Sequence, residues 1–217
     1  LNVTAVIINY QTPELTQRAI ASLRSYYPQL PLLLIDNGSR DSSGELLDAY
    51  AAVHSPTTVF LRNSSNLYHG PAMHQAAEHC RTDYLLYLDS DCHVTKGGFL
   101  GLMLDVAEKD GSCYAVGKRV YMNDRGFEVG PGPFAIAYIR PSCMLVNKRM
   151  YLTLPPFTHH GTPCLDNMRA AASSGYALVD FPILSYVVHE GRGTASRYGY
   201  GLGLKGKINH LLNKLGL

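Results

Sequence analysis

Asp89-Ser90-Asp91 is the part of this chain best suited to chemistry. It follows Tyr84 to Leu88, the most apolar strand-like run in the sequence. Two carboxylates on alternate residues of an extended segment diverge, but a turn after the strand lets both face one crevice. Hard carboxylate oxygens suit Mg²⁺ or Mn²⁺, and Mg²⁺ usually takes one or two carboxylates plus substrate phosphates. The chemistry expected here is neutralisation of charge on a departing diphosphate. Asp91 is the expected direct metal ligand, and Asp89 the ribose or metal-bridging partner. The plainer alternative is a cap or solvated turn, since D-x-D also arises by chance.

The elements that must position these carboxylates alternate through the first half of the chain. Val3 to Ile8 reads as a strand buried on both faces, and Thr12-Pro13 as the cap and first residue of a helix. Leu15, Ala19 and Leu23 follow at helical spacing. Leu32 to Ile35 is a second strand, then a helix around Glu45 to Tyr50, a strand around Thr57 to Leu61 and a helix from Pro71 to Cys80. This order predicts an α/β fold with a mostly parallel sheet and right-handed crossovers. In such sheets the ligand lies beyond the carboxyl ends of the strands. Asn9 and Tyr10, Asp36 and Asn37, and Asp89 and Asp91 all fall at those ends, which points to one site.

The second half reads as mixed. Phe99, Leu102, Met103 and Val106 make one apolar helical face. Cys113 to Val116, Ala135 to Ile139, Cys143 to Val146 and Ala177 to Phe181 are strand-like, with a turn at Asn123-Asp124-Arg125-Gly126. A single domain over residues 1–217 is expected, with a nucleotide-binding half at 1–91 and an acceptor-side half at 92–190. Residues 191–217 are expected to form a glycine-rich basic tail with a short amphipathic helix. Arg192, Arg197, Tyr198, Lys205 and Lys207 in that tail suit closure over a diphosphate, or a flexible basic extension. Ile208, Leu211, Leu212 and Leu215 then share an apolar face that fits the domain itself, a second subunit, or weak peripheral contact with an anionic membrane.

Composition sets the outer limits. The 217 residues are 46% hydrophobic and 17% charged, enough to bury one full core. A formal net charge of +2, with no basic stripe, argues against nucleic acid as a partner. The 5 cysteines are scattered without a CxxC pair, so reduced thiols and a cytoplasmic setting are expected. Apolar runs are too short to cross a bilayer, and no signal peptide is visible. The chain starts at Leu1 with a strand almost at once, so a lost targeting segment stays open.

Taken in order, the motifs resemble those of family-two glycosyltransferases. Val3 to Tyr10 with Gln11-Thr12 looks like the family's opening strand and nucleotide loop. Leu34 to Asp41 is similar to its V-D-N-x-S-x-D signature, and Asn66-Leu67 with Gly70, Ala72 and His74 to its N-x-G-x-x-x-A-x-N-x-G stretch. Gly70 is displaced in that match, and His74 stands where Asn is usual. Asp89-Ser90-Asp91 resembles the family's D-x-D. The resemblance implies a GT-A fold, a three-layer α/β/α sandwich, and metal-dependent, inverting transfer of a sugar from a nucleotide-sugar donor.

Residue roles follow under that resemblance. Asp36 would accept a pyrimidine ring N–H, favouring a UDP-sugar, or else cap the turn it opens. Tyr10 would stack on the base or serve as edge packing. Asp166, ahead of a helix expected from Asn167 to Ser174, resembles the catalytic base, although the commoner E-D pair is absent; an ordinary N-cap is the alternative. His189, after Ser185 to Val188 and before Glu190-Gly191-Arg192-Gly193-Thr194, resembles the V-H-x-G-G-x-S element. An imidazole there completes a metal shell with Asp91 and tilts the choice toward Mn²⁺, or else is structural. His69, His74 and His79 recur at five-residue steps and share no helical face, while His159 and His160 suit either an acceptor pocket or a surface loop. Glycan, lipid-linked sugar, protein side chain and small molecule all stay open as acceptors. The rivals are a sugar-phosphate nucleotidyltransferase, which lacks its Gly-rich Arg loop here, and a non-catalytic nucleotide-sugar binding domain.

Overall fold

A computed structural model of the chain describes residues 2–158 and 161–191. Its first strand, β1 (Val3–Asn9), is buried along nearly all its length, so both faces need cover. Alternation supplies it. After β1 come α1 (Pro13–Tyr26), β2 (Leu32–Asp36), α2 (Ser43–Val53), β3 (Thr58–Arg62), α3 (His69–His79) and β4 (Tyr84–Leu88). The four strands lie parallel in the order β3-β2-β1-β4. Val3, Ala5 and Ile7 of β1 pack with Ala19, Ile20 and Leu23 of α1. Val6, pointing the other way, packs in the layer of Met73, Ala76 and Ala77 of α3.

The second half completes both layers. It runs β5 (Cys92–Val94), α4 (Phe99–Lys109), β6 (Cys113–Met122), β7 (Glu128–Val129), β8 (Ile136–Asn147), α5 (Lys148–Tyr151), α6 (Leu165–Ser173), β9 (Ala177–Asp180) and β10 (Val187–His189), with a 3₁₀ turn at Ile183–Ser185. β8 inserts antiparallel between β4 and β6, while β9 pairs parallel with β6. The central sheet is therefore mixed: β7 and β8 oppose the other six of its 8 strands. α4 joins the α1 layer and α6 the α3 layer, giving α/β/α.

Several boundaries differ from the sequence reading for local reasons. The two pieces expected at 135–139 and 143–146 are one strand, β8, whose register against β6 shifts between Gly117 and Arg119. Pro141 lies in that irregularity, where its missing N–H costs the ladder nothing. Leu102 stays 47% exposed, and α4 buries Phe99, Leu100, Met103 and Leu104 instead. Thr12 does stand before Pro13, but its hydroxyl turns back to Asn9 Oδ1 at 3.3 Å rather than capping α1.

Candidate active site

β1 leads to β2 on one side and β4 flanks it on the other, so the strand order switches direction at β1. A crevice opens beyond the carboxyl ends at such a point. Asn9, Asp36 and Asp89 end, or immediately follow, three of the strands around it.

On the β2 side the polar residues mostly hold one another. Asn9 is fully buried; its Nδ2 donates to Asp36 Oδ1 (2.9 Å) and Ser39 Oγ (3.1 Å), and its Oδ1 accepts from Thr16 Oγ1 (2.7 Å). The second Asp36 oxygen accepts from the Ser39 backbone N–H at 3.2 Å, and Arg62 Nε lies 3.9 Å away. Asp36 has no exposed side-chain surface. The structure thus shows Asp36 capping the turn it opens, the alternative role read for it, with Asn9 holding it in place. Tyr10 follows β1 directly and is half-buried at the crevice.

Asn37, placed at the crevice by its strand end, is a hub whose bonds the sequence did not foretell. Its Nδ2 donates to Asn66 Oδ1 (3.1 Å) and the Tyr68 carbonyl (3.2 Å), and its Oδ1 accepts from Asn63 Nδ2 and the Leu67 N–H, both at 3.1 Å. Asn66, which opens the stretch similar to the family's N-x-G motif, is the other half of that clamp. The two loops approach so closely that a Cβ on Gly38 would lie 2.3 Å from the Ser65 carbonyl carbon, at a φ of +77°. Gly70 likewise has the Thr158 backbone 2.5 Å from its missing Cβ. Gly38→Ala is expected to destabilise the fold by about 2–4 kcal/mol, from left-handed strain plus overpacking. Gly98→Ala, at φ +86° with nothing near, should show the strain alone, about 1–2 kcal/mol. Equal losses in denaturant titrations would contradict the close-approach argument.

The candidate metal side is assembled from distant parts of the chain. β10 pairs antiparallel with β5 and sets His189 opposite Cys92, one residue from Asp91. His189 Nε2 then lies 3.3 Å from Asp91 Oδ1. Ligand atoms of Asp91, Cys92 and His189 fall within 4.8 Å of one another. The Cys92 thiol is buried and held strongly up by burial, so it stays protonated and packs in the core. A carboxylate and an imidazole, with positions left for phosphate oxygens, fit Mn²⁺ or Mg²⁺.

His69, set aside by the spacing argument, is the residue that meets Asp89: its Nε2 lies 3.4 Å from Oδ1. It opens α3 directly after the β3 loop, and that position at a strand's carboxyl end was the available signal. Burial pushes the Asp89 carboxyl up, the His69 imidazole pulls it down, and Asp91 pushes it up again; the net is upward. His189 is raised above its ordinary 6.5, chiefly by its hydrogen bond to Asp91, with burial and Arg140 opposing. Only neutral imidazole ligates a metal. Mn²⁺ affinity is therefore expected to fall as pH drops through a value above 6.5, by about tenfold per unit below it. Calorimetric titrations across that range check this, and His189→Gln should flatten the slope.

The remaining candidates divide. Asp166 is exposed and sits inside the first turn of α6, which Cys164 rather than Asp166 opens. Burial holds the Cys164 thiol up, the Tyr138 hydroxyl opposes this and Asp89 adds to it. Asp166 lies 4.0 Å from Arg169, which also pairs with Asp124 at 2.9 Å. His74 turns away from the crevice: its Nδ1 is 2.7 Å from the Tyr151 hydroxyl and its Nε2 3.6 Å from Glu78. Arg192, His159, His160 and the face from Ile208 to Leu215 lie outside the described residues.

The model of the family described as "Glycosyl transferase family 2" matches residues 4–173, most of the chain. The chain belongs to glycosyl transferase family 2. Its fold agrees with that of solved GT-A glycosyltransferases. A mannosyltransferase from Pyrobaculum calidifontis, in complex with GDP-Man and Mn²⁺, aligns over 98% of this chain and 64% of its own at a TM-score of 0.67 and 16% identity. GalNAc-T7 with UDP, GalNAc and Mn²⁺ aligns over 86% of this chain and 43% of its own at 0.70 and 15%. Among curated family relatives, the undecaprenyl-phosphate 4-deoxy-4-formamido-L-arabinose transferase of Pseudomonas fluorescens (strain SBW25) is 33% identical over 79 residues, 36% of this chain and 23% of that protein. The enzyme of the same name from Shewanella sediminis (strain HAW-EB3) is 35% identical over 79 residues, 36% of this chain and 24% of its own. The matches span about a quarter of those relatives' length.

Proposed function

We propose that this family 2 domain carries out metal-dependent, inverting transfer of a sugar from a nucleotide-sugar donor to an acceptor hydroxyl. The observation that carries the reading is the meeting of Asp91 and His189 beside Asp89 and His69 at the switch point of the sheet. In this reading Tyr10 and the Asp36–Ser39 turn border the nucleoside, Asp89 faces the ribose, and Asp91 with His189 holds Mn²⁺ or Mg²⁺. An ion held there would offset the charge on the departing diphosphate. Asp166 accepts the acceptor hydroxyl's proton at a carboxylate oxygen as that hydroxyl attacks the anomeric carbon. The reading keeps UDP as the favoured nucleotide; Asp36 would leave its cap to meet the base.

The relatives' printed names favour a different acceptor, a polyprenyl phosphate, whose phosphate oxygen would attack in place of a hydroxyl. We keep the cytoplasmic face of a membrane as the place where such an acceptor would be met. Among the described residues no helix is long and apolar enough to cross a membrane.

Thermal-shift binding of UDP, GDP, dTDP and CDP, each with Mn²⁺, Mg²⁺ or EDTA, tests the donor reading. One nucleotide is expected to raise the melting temperature by several degrees only with metal, as ligand at about 100 times its Kd adds about 2.7 kcal/mol. No shift with any of the four would end it.

A further inference from the structure

Among the described residues, two that are not glycine hold a positive φ: Gln11 at 54° and Tyr68 at 68°. Both border the crevice, Gln11 through its N–H to Ser39 Oγ at 2.9 Å and Tyr68 through Asn37. Strained backbone gathers at functional sites because surrounding contacts must hold it there. Tyr68 is the stronger case. Its ψ of 171° puts it in a region that belongs almost wholly to glycine.

The clamp on its backbone is complete. The Tyr68 N–H donates to Asn66 Oδ1 at 2.8 Å, and its carbonyl accepts from Asn37 Nδ2 at 3.2 Å and from the Ala72 N–H at 3.3 Å. Glycine would make all three bonds without strain. The ring does not repay the strain by packing, for Tyr68 is 58% exposed. A tyrosine held against its backbone preference, with its ring left in solvent, fits a residue whose ring is wanted for a ligand.

Position narrows the ligand. Tyr68 is tied to the β2 loop through Asn37, and its neighbour His69 touches Asp89, not the Asp91–His189 pair. That is the nucleoside side of the site rather than the reacting end. We propose that the Tyr68 ring is a stacking platform for the donor's nucleobase. The proposal rests on the nucleotide-sugar reading above.

Calorimetry on wild type, Tyr68→Phe and Tyr68→Gly, each with Mn²⁺, tests it with two probes: the nucleoside diphosphate that the wild type binds best, and inorganic diphosphate. Tyr68→Gly is expected to bind the nucleotide at least about fivefold more weakly, as base–aromatic stacking implies. It should keep its affinity for inorganic diphosphate, and its melting temperature should hold or rise as strain is released. Tyr68→Phe should match the wild type throughout. Unchanged nucleotide affinity in Tyr68→Gly overturns the platform alone. Equal weakening for both probes, or a lower melting temperature in Tyr68→Gly, overturns it in favour of a structural role. A wild type that binds no nucleotide removes the parent reading, and this one with it.

Discussion

Asp91→Ala is expected to lower kcat/KM by on the order of 10³-fold and to abolish the metal-dependent part of nucleotide binding. Asp91 is only 12% exposed in its side chain, and the β5–β10 ladder fixes it against His189. Its removal leaves the imidazole and phosphate oxygens to hold the ion, and Cys92, buried and protonated, offers no substitute. The fold should survive, since Asp91 lies in the turn after β4 rather than within either core layer. Turnover assays with matched melting curves check both halves. Transfer that persists with EDTA present, in wild type and variant alike, would mean that no metal takes part.

Asp166→Asn is expected to lower kcat by roughly 10²–10⁴-fold with donor affinity unchanged, the usual worth of a general base. The amide keeps the shape but cannot take a proton. It also keeps the helix, because Cys164 holds the N-cap and Asp166 only lines the first turn. The size of the loss reads the acceptor as well. A hydroxyl must lose its proton to attack, whereas a phosphate monoester is already mostly ionised at neutral pH. A large loss therefore supports a hydroxyl acceptor, and full activity with a polyprenyl phosphate would withdraw the base role from Asp166.

The first half of the fold was legible because its signals are local. Val3 to Ile8, Leu32 to Ile35 and Tyr84 to Leu88 are apolar runs that only a doubly covered strand can bury, and the carboxylates follow directly. Asp36 showed its type and place but not its bonds, because capping a turn and contacting a base call for the same residue. His69 was lost to a test of helical periodicity, although its partner lies on another strand. Asn37 showed its place at a strand end but not its bonds, which come only from the approach of the Asn63–Tyr68 segment. The β8 strand read as two because Pro141 breaks the local pattern, although β6 pairs with β8 on both sides of it.

The β5–β10 ladder joins residues about 100 positions apart in the chain. Synthesis runs from the N-terminus at roughly 5–20 residues per second, so Asp91 emerges about 5–20 s before His189 does. Through that interval a nascent chain carries both carboxylates without the imidazole that lies against Asp91. The Asp91–His189 pair, on which the proposed metal site depends, can therefore form only in a polypeptide made past residue 189.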